Sequence, residues 1–334
     1  MRNEAQRRRI ENEAPFDLDV RSDSTANPYP AVAGGNVFCI WPGGAGPMRS
    51  AIQTRLRHFC IAAIFLLLLA ASASADYVTF QGDNQRTGNL TGTGPQQPNL
   101  LWSVSLTGHG IISAAPAISG ERLYVPNWPD MTFKGELGLA CLDRADGKLI
   151  WINPLGGKGG ASSPALEEGR VYVGTLTGDI FCIDAGTGQT VWNRSIDKDP
   201  QWWGVASSPL IQDGVLYIMS FSNGTLHALS LDGQELWNRS TGEVSPYLSA
   251  AAWEGRLYLP GGDPALYCLN ASTGELIWKR DTPSQITATP TVGDKMVFVA
   301  AKEAILALDT QSGEPIWSAD FNGSISSPAL SSGQ

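Results

Sequence analysis

From residue 77 onward the chain is a succession of short apolar runs bounded by turns rich in glycine, proline, asparagine and aspartate. No stretch after residue 76 sustains a helical period of 3.6. Such spacing predicts short antiparallel strands. The runs fall into groups, and each group closes on a tryptophan: Trp102, Trp151, Trp192, Trp237, Trp278 and Trp317, at intervals of 49, 41, 45, 41 and 39 residues. About four strands in roughly 40 residues is the repeat of a propeller blade. The expected fold class is therefore all-β, a propeller of four-stranded antiparallel blades.

The tryptophans end segments with one ground plan, CLDRADGKLIW at 141–151, CIDAGTGQTVW at 182–192, ALSLDGQELW at 228–237, CLNASTGELIW at 268–278 and ALDTQSGEPIW at 307–317. Residues 161–195 are the clearest whole copy. There Pro164, Ala165 and Leu166 predict an inner strand, Glu168-Gly169 a turn, and 170–174 a second strand alternating polar and apolar residues. Residues 180–184 form a third strand, and Gly186 to Gln189 a hairpin into an outer strand at Thr190, Val191 and Trp192.

Recurrence in register argues for structural roles. Asp143, Asp184 and Asp309 precede glycine-containing turns, where a carboxylate accepts otherwise unpaired backbone N–H groups. DRADG at 143–147 begins like a calcium loop but lacks the later carboxylate ligands, so no metal is expected. A tryptophan on every outer strand suits docking between neighbouring blades. Cys141, Cys182 and Cys268 share a small, buried strand position and are expected to be free thiols.

The Ala/Cys-x-Asp-x-x-x-Gly-x-x-x-Trp pattern is followed by Ala115-Pro116, Ser163-Pro164, Ser208-Pro209, Thr289-Pro290 or Ser327-Pro328 at the next blade. It resembles the quinoprotein-type repeat of the PQQ-like β-propeller family. FQGDNQRTGN at 80–89 is also similar to the phrase preceding the first blade in many exported members. The third repeat departs from the pattern in being one residue short with Ser230 for aspartate, and the fourth opens on LSAAAW (248–253) without proline. Five complete blades, an outer strand at Leu101, Trp102 and Ser103, and a sixth beginning at SISSPALSSGQ leave the ring open. Because the resemblance implies eight blades, with an amino-terminal strand completing the last, the expectation is a truncated sequence lacking two to three blades.

Residues 1–47 read as a disordered leader or a mis-assigned start. Met48, three arginines, the apolar run IAAIFLLLLAA (61–71) and Ser72-Ala73-Ser74-Ala75 form a signal-peptide pattern over 48–75. The propeller would occupy 76–334, and the run is short for a membrane span. Cys60 precedes the run instead of marking the cleavage point, which argues against lipidation. The whole chain carries a net charge of −9, and removal of residues 1–75 leaves 15 basic against 26 acidic side chains. An acidic exported protein, periplasmic, extracellular or at the cell surface, repels nucleic acid and anionic lipid. No stable membrane span is expected in the mature chain.

For function, the resemblance offers two branches. Quinoprotein dehydrogenases use pyrroloquinoline quinone and calcium, often with an adjacent cysteine pair or a Cys-x-x-Cys-His haem motif. Neither motif occurs here. His109 and His227 lie 118 residues apart, with no evident carboxylate-plus-nucleophile setting. The other branch, the outer-membrane assembly lipoprotein, acts by binding, although the missing lipidation cysteine argues against a close match. The expectation is a non-catalytic scaffold with no catalytic residues and no cofactor, binding protein or carbohydrate through long loops on one face. Insertions at 127–138 and 197–204 carry Trp128, Phe133, Asp197, Asp199, Trp202 and Trp203, a set suited to paired indoles stacking on a sugar while carboxylates take its hydroxyls, the alternative being aromatics that plug the blade junction or central channel. Asn89, Asn193, Asn223, Asn238, Asn270 and Asn322 begin glycosylation triplets. The alternatives are a PQQ-dependent dehydrogenase with its active site in missing blades, and the sensor ectodomain of a membrane protein.

Overall fold

The apolar runs pair with their neighbours in sequence, as turns of a few residues require. The computed structural model describes residues 76–88, 99–106, 110–112, 114–129, 138–198, 204–222, 224–242, 245, 247–293 and 295–321. Blade 1 holds β1 (Gly110–Ile111), β2 (Ala117–Ser119), β3 (Arg122–Pro129), β4 (Gly138–Asp143) and β5 (Leu149–Asn153). Blade 2 holds β6 (Ala165–Glu167), β7 (Arg170–Gly174), β8 (Asp179–Asp184) and β9 (Thr190–Ser195), and blade 3 holds β10 (Leu210–Gln212), β11 (Val215–Ser220), β12 (Thr225–Ser230) and β13 (Glu235–Ser240). Blade 4 comprises β14 (Ala251–Trp253), β15 (Arg256–Pro260), β16 (Ala265–Asn270) and β17 (Leu276–Asp281). Blade 5 comprises β18 (Thr291–Gly293), β19 (Met296–Ala301), β20 (Ala304–Asp309) and β21 (Pro315–Asp320). All pairs are antiparallel, and blades 2 to 5 keep strict sequence order. Blade 1 gains a fifth strand, because β1 pairs the far end of the long β3 while β2 pairs its near end.

The register slips at the same point in every blade, between Cys141 and Leu142, Cys182 and Ile183, Ala228 and Leu229, Cys268 and Leu269, and Ala307 and Leu308. A bulge there steepens the local twist just before the turn into the outer strand. The shortened third repeat keeps it. The predicted alternation in 170–174 is not what the structure shows, since Val171 to Gly174 are all buried. A blade between two others has no wet face, so its middle strands are apolar on both sides.

The core consequently lies in the seams. Leu139 and Cys141 meet Val171, Val173 and Ile183 between blades 1 and 2, and Tyr172, Ile180 and Cys182 meet Leu216, Ile218 and Leu229 between blades 2 and 3. Tyr217 and Leu226 meet Leu257 and Leu269, and Tyr258 and Leu266 meet Val297 and Leu308, in the next two seams. Cys141, Cys182 and Cys268 are free and fully buried. Burial pushes the Cys141 and Cys268 thiols up to about 11.

Each seam is pinned at its outer edge by a tryptophan. The Nε1 groups of Trp102, Trp151, Trp192, Trp237 and Trp278 donate to the carbonyls of Arg144, Ala185, Leu231, Ala271 and Thr310, all on the following blade, at 2.9–3.3 Å. Beneath each indole lies the repeat glycine of that blade, Gly147, Gly188, Gly233, Gly274 or Gly313. Side chains at the start of the turn hold it in place: Asp184 Oδ1 accepts from Thr187 N at 2.7 Å, Asp309 Oδ1 from Ser312 N at 2.8 Å, and Asp143 Oδ1 from Ala145 N at 2.8 Å. In the shortened repeat Ser230 Oγ accepts from Gln234 N at 3.0 Å. Trp317 lies on β21, the outer strand of the last described sheet, and is 43% exposed. Trp102 docks on blade 1 as the pattern requires, yet the predicted outer strand at 101–103 is not a strand, because it makes no ladder among the described residues.

Candidate functional site

The inner strands β2, β6, β10, β14 and β18 lie side by side around the axis, with edges that nothing in their own sheets can pair. Residues 77–88 cover those edges. Tyr77 bridges Ile118, Val78 O accepts from Leu166 N, and Asn84 Nδ2 donates to Ile211 O. Asn84 O and Gln85 O accept from Ala252 N and Val292 N. One segment thus touches all five blades. Pairing open edges removes a liability that would otherwise invite association.

Arg86 locks the segment in place. Its Nε donates to Ala250 O at 3.2 Å, Nη1 to Thr79 Oγ1 at 2.9 Å and Phe80 O at 2.6 Å, and Nη2 to Ser208 O at 3.5 Å and Pro209 O at 3.0 Å. All five guanidinium donors are used. The side chain is fully buried, and burial lowers its pKa to about 10 against the opposing charge of Asp83. Ala250 stands where the other blades have proline, and its carbonyl still serves. A second belt runs alongside: Ser163, Ser208, Ser249 and Thr289 accept, through their hydroxyl oxygens, the backbone N–H groups of Ala115, Ser163, Ser208 and Ser249 at 2.8–3.3 Å. The Ser-Pro openings are therefore couplings between blades.

Between residues 78–85 and the inner strands of blades 2, 3 and 4 lies a cavity of about 370 Å³. It sits at the end of the blades where first strands turn into second strands. The two long insertions emerge at the opposite end. Trp128, at the end of β3, is half-buried, and its backbone packs against Gly159. Asp197 is 5% exposed, with Oδ2 accepting from Ser222 N at 3.0 Å. Phe133, Asp199, Trp202 and Trp203 lie outside the described residues, as do His109, Asn89, Asn223 and Asn322. The structure thus places Trp128 and Asp197 at one end of adjacent blades, with Asp197 turned inward. Asn193 and Asn238 are exposed on outer strands, whereas Asn270 Oδ1 accepts from Ser272 N at 2.9 Å and Thr273 N at 3.1 Å.

His227 corrects the sequence reading, for it does have a carboxylate and a hydroxyl beside it. Nδ1 lies 3.3 Å from Glu235 Oε1 and Nε2 lies 3.3 Å from Ser220 Oγ. Glu235 also receives Asn238 Nδ2 at 2.6 Å and pairs with Arg194 of blade 2 at 2.9 Å. Hairpin pairing of β11, β12 and β13 assembles these groups from positions that look unrelated along the chain. Ser220 is only 1% exposed, however, and a nucleophile must reach both a substrate and oxyanion donors. The array is a polar network across the seam of blades 2 and 3, buried at Ser220 and His227. Burial holds the His227 imidazole below its ordinary value despite Glu235. Burial acts to raise the Glu235 carboxyl, but hydrogen bonds from Asn238 and His227 and the charges of His227 and Arg194 outweigh it.

Among the described residues no three His, Cys, Asp or Glu side chains are grouped to hold a metal, and no helix is long and apolar enough to cross a membrane. The sequence profile of the family described as outer membrane protein assembly factor BamB matches residues 86–246 and 222–333. The chain belongs to this PQQ-like propeller family. Its fold is similar to that of BamB from Moraxella catarrhalis, at 20% identity and a TM-score of 0.54, covering 68% of this chain and 69% of the other. It is similar also to quinohemoprotein alcohol dehydrogenase from Comamonas testosteroni, at 18% identity and a TM-score of 0.63, covering 76% and 51%. Curated relatives include tetrathionate hydrolase of Acidithiobacillus ferrooxidans, 21% identical over 78% of this chain and 48% of that protein. Another is 1-butanol dehydrogenase (cytochrome c) of Thauera butanivorans, 27% identical over 46% and 23%. The chain spans less than half the length of these curated relatives.

The resemblance to quinoproteins also implies a quinone with calcium, and the cavity beside residues 78–85 is one described space to test against it. Its lining contains Asp83, Glu167 and Glu254 and no lysine or arginine. Pyrroloquinoline quinone is a tricarboxylate, which such a wall repels. The cavity does not fit that group, and no step is derived through it.

Proposed function

We propose that the protein is an exported propeller, periplasmic or at the cell surface, acting as a non-catalytic scaffold that binds protein or carbohydrate at the end of the blades carrying the two insertions. The observation that supports this reading most is the occupation of the repeated residues. Five of the repeat tryptophans, the Ser-Pro hydroxyls and Arg86 are spent on joining blades and the turn aspartates on holding their own hairpins, so recognition falls to the irregular loops. Those loops open from a rigid arc at one end of adjacent blades. Export rests on the signal-like segment at 48–75, with 76–334 as the mature propeller.

The test pairs the W202A/W203A double variant with the unaltered protein, immobilised and exposed in parallel to a glycan array and to a solubilised envelope extract. Loss of a specific retained ligand, with an unchanged thermal midpoint, supports the loop reading. Undiminished retention with a lowered midpoint assigns those indoles to packing. A second reading, a PQQ-dependent dehydrogenase, is favoured by the names of the dehydrogenase relatives. Turnover of an alcohol with added quinone, calcium and an electron-accepting dye would establish it in place of the scaffold.

A further inference from the structure

Among the five blades, only blade 3 places an imidazole at the middle of its third strand. The residue preceding the repeat cysteine or alanine is Ala140, Phe181, Tyr267 and Leu306 in the other blades and His227 in blade 3. In blade 2 that position packs into an apolar seam core. The ring of His227 is buried, and Ser220, which faces its Nε2, also donates from Oγ to Thr225 O at 3.4 Å. Ser220 and Thr225 are the pair that closes the β11–β12 hairpin. That hairpin holds both ends of the second insertion: Ser222 N donates to Asp197 Oδ2 at 3.0 Å, and Phe221 N to Gly204 O at 2.9 Å. Blade 2 holds them as well, through Asp197 N on Gly178 O at 3.0 Å and through Val205 N, next to Gly204, on Thr175 O at 2.8 Å. The imidazole therefore sits at the root of the hairpin that ties the insertion to blade 3.

A positive charge on this ring is poorly received. Glu235 Oε1 faces Nδ1, but the carboxylate is shared with Arg194 and Asn238. The charged groups acting on the imidazole are Glu235 of β13, Arg194 of β9 and Asp197 just beyond β9. Burial, the largest influence, and the Arg194 cation oppose protonation, Glu235 and Asp197 favour it, and the balance holds the ring below its ordinary value. Parting of the two blades lets water reach the ring and restores that value, so the parted form gains as pH falls below 6.5. We propose that His227 makes the contact between blades 2 and 3 an acid-sensitive joint, whose loosening frees the hairpin at Phe221 and Ser222 from the insertion ends at Asp197 and Gly204. The consequence for a bound ligand rests on the insertions being the binding end, whereas the joint itself does not.

Amide exchange of the full chain between pH 7.5 and 5.0, expressed as protection factors to remove its intrinsic pH dependence, provides the test, and Glu235 stays ionised over that range. Protection at Phe221 and Ser222 is expected to fall about fivefold, with the midpoint of the ring ¹³C titration of the histidine signal missing from H227Q. Gly262 N, which donates to Thr241 O at 2.8 Å across the seam of blades 3 and 4, should keep its protection. H227Q, which keeps a neutral polar side chain, and H227F, which copies blade 2, should both abolish the pH dependence at Phe221 and Ser222. The W202A/W203A variant should respond to acid as the unaltered protein does, which separates the joint from ligand retention by the loops. The proposal is overturned if protection at Phe221 and Ser222 does not change, if Gly262 loses as much, or if H227Q or H227F responds to acid like the unaltered protein.

Discussion

Trp151 of blade 2's predecessor rests on Gly188 of blade 2 so closely that a β-carbon on the glycine would lie 2.5 Å from the indole. Gly188 also has φ +75°, a conformation other residues adopt at a cost. Gly188→Ala therefore forces both a steric shift at the seam and backbone strain, and should destabilise the protein by about 3 kcal/mol. Gly169→Ala is the control, since it has φ +73° but nothing within 4 Å. Its cost should be about 1 kcal/mol. Equal losses for the two in denaturant unfolding would remove the indole contact from the account.

Arg86 joins the amino-terminal segment to blades 3 and 4. Arg86→Ala strands buried carbonyls at Ser208, Pro209 and Ala250 and is expected to cost about 3–5 kcal/mol. Arg86→Lys keeps the charge but supplies three donors in place of five, so it should fall between. Amide exchange should quicken in β10 and β14 before β13 or β17; a uniform increase would contradict a local latch.

Acid should loosen the seam between blades 2 and 3. His227 has a folded pKa below the ordinary 6.5, so the unfolded chain takes up the proton first as pH falls. Its contribution is fully present above about 6.5 and is lost progressively as pH falls toward the lower folded value. Glu235, also depressed, adds a second loss as pH falls below its ordinary 4.5. The difference in unfolding free energy between the wild type and His227→Gln, followed from pH 8 to 5, should shrink on acidification. A constant difference would mean that His227 does not titrate differently on folding.

The three cysteines of the blades should resist alkylation in the native state, because they are fully buried and the Cys141 and Cys268 thiols are raised to about 11. Peptide mapping after iodoacetamide treatment at pH 8 should find them labelled only in denaturant. Native labelling of Cys182 would show that its seam opens.

In a host able to glycosylate, Asn193 should be modified in preference to Asn270. Asn193 is exposed on an outer strand, while Asn270 spends its carbonyl on two turn N–H groups. Glycopeptide mass spectrometry reads the order directly, and occupancy at Asn270 alone would reverse it.

The four-stranded repeat unit, its strand pairing and the turn role of Asp184 were legible along the chain because each is encoded within about 40 residues. The departures at Ser230 and Ala250 were visible as letters only. Their harmlessness follows from a hydroxyl that replaces a carboxylate as acceptor and a carbonyl that every residue possesses. The setting of His227 was missed because Ser220 and Glu235 converge on it through hairpin pairing, and no spacing rule announces that.

By itself the amino-acid sequence determined the repeating blade, since turns of glycine and aspartate and apolar runs of strand length act locally. Tertiary structure alone decided what lies on the axis. Arg86 meets carbonyls 122 to 164 residues away and accepts from Thr291 205 residues away, contacts that exist only once five inner strands are gathered side by side. Open strand edges must find partners somewhere. The phrase FQGDNQRTGN stood out along the chain, but which edges it meets depends on where folding brings it.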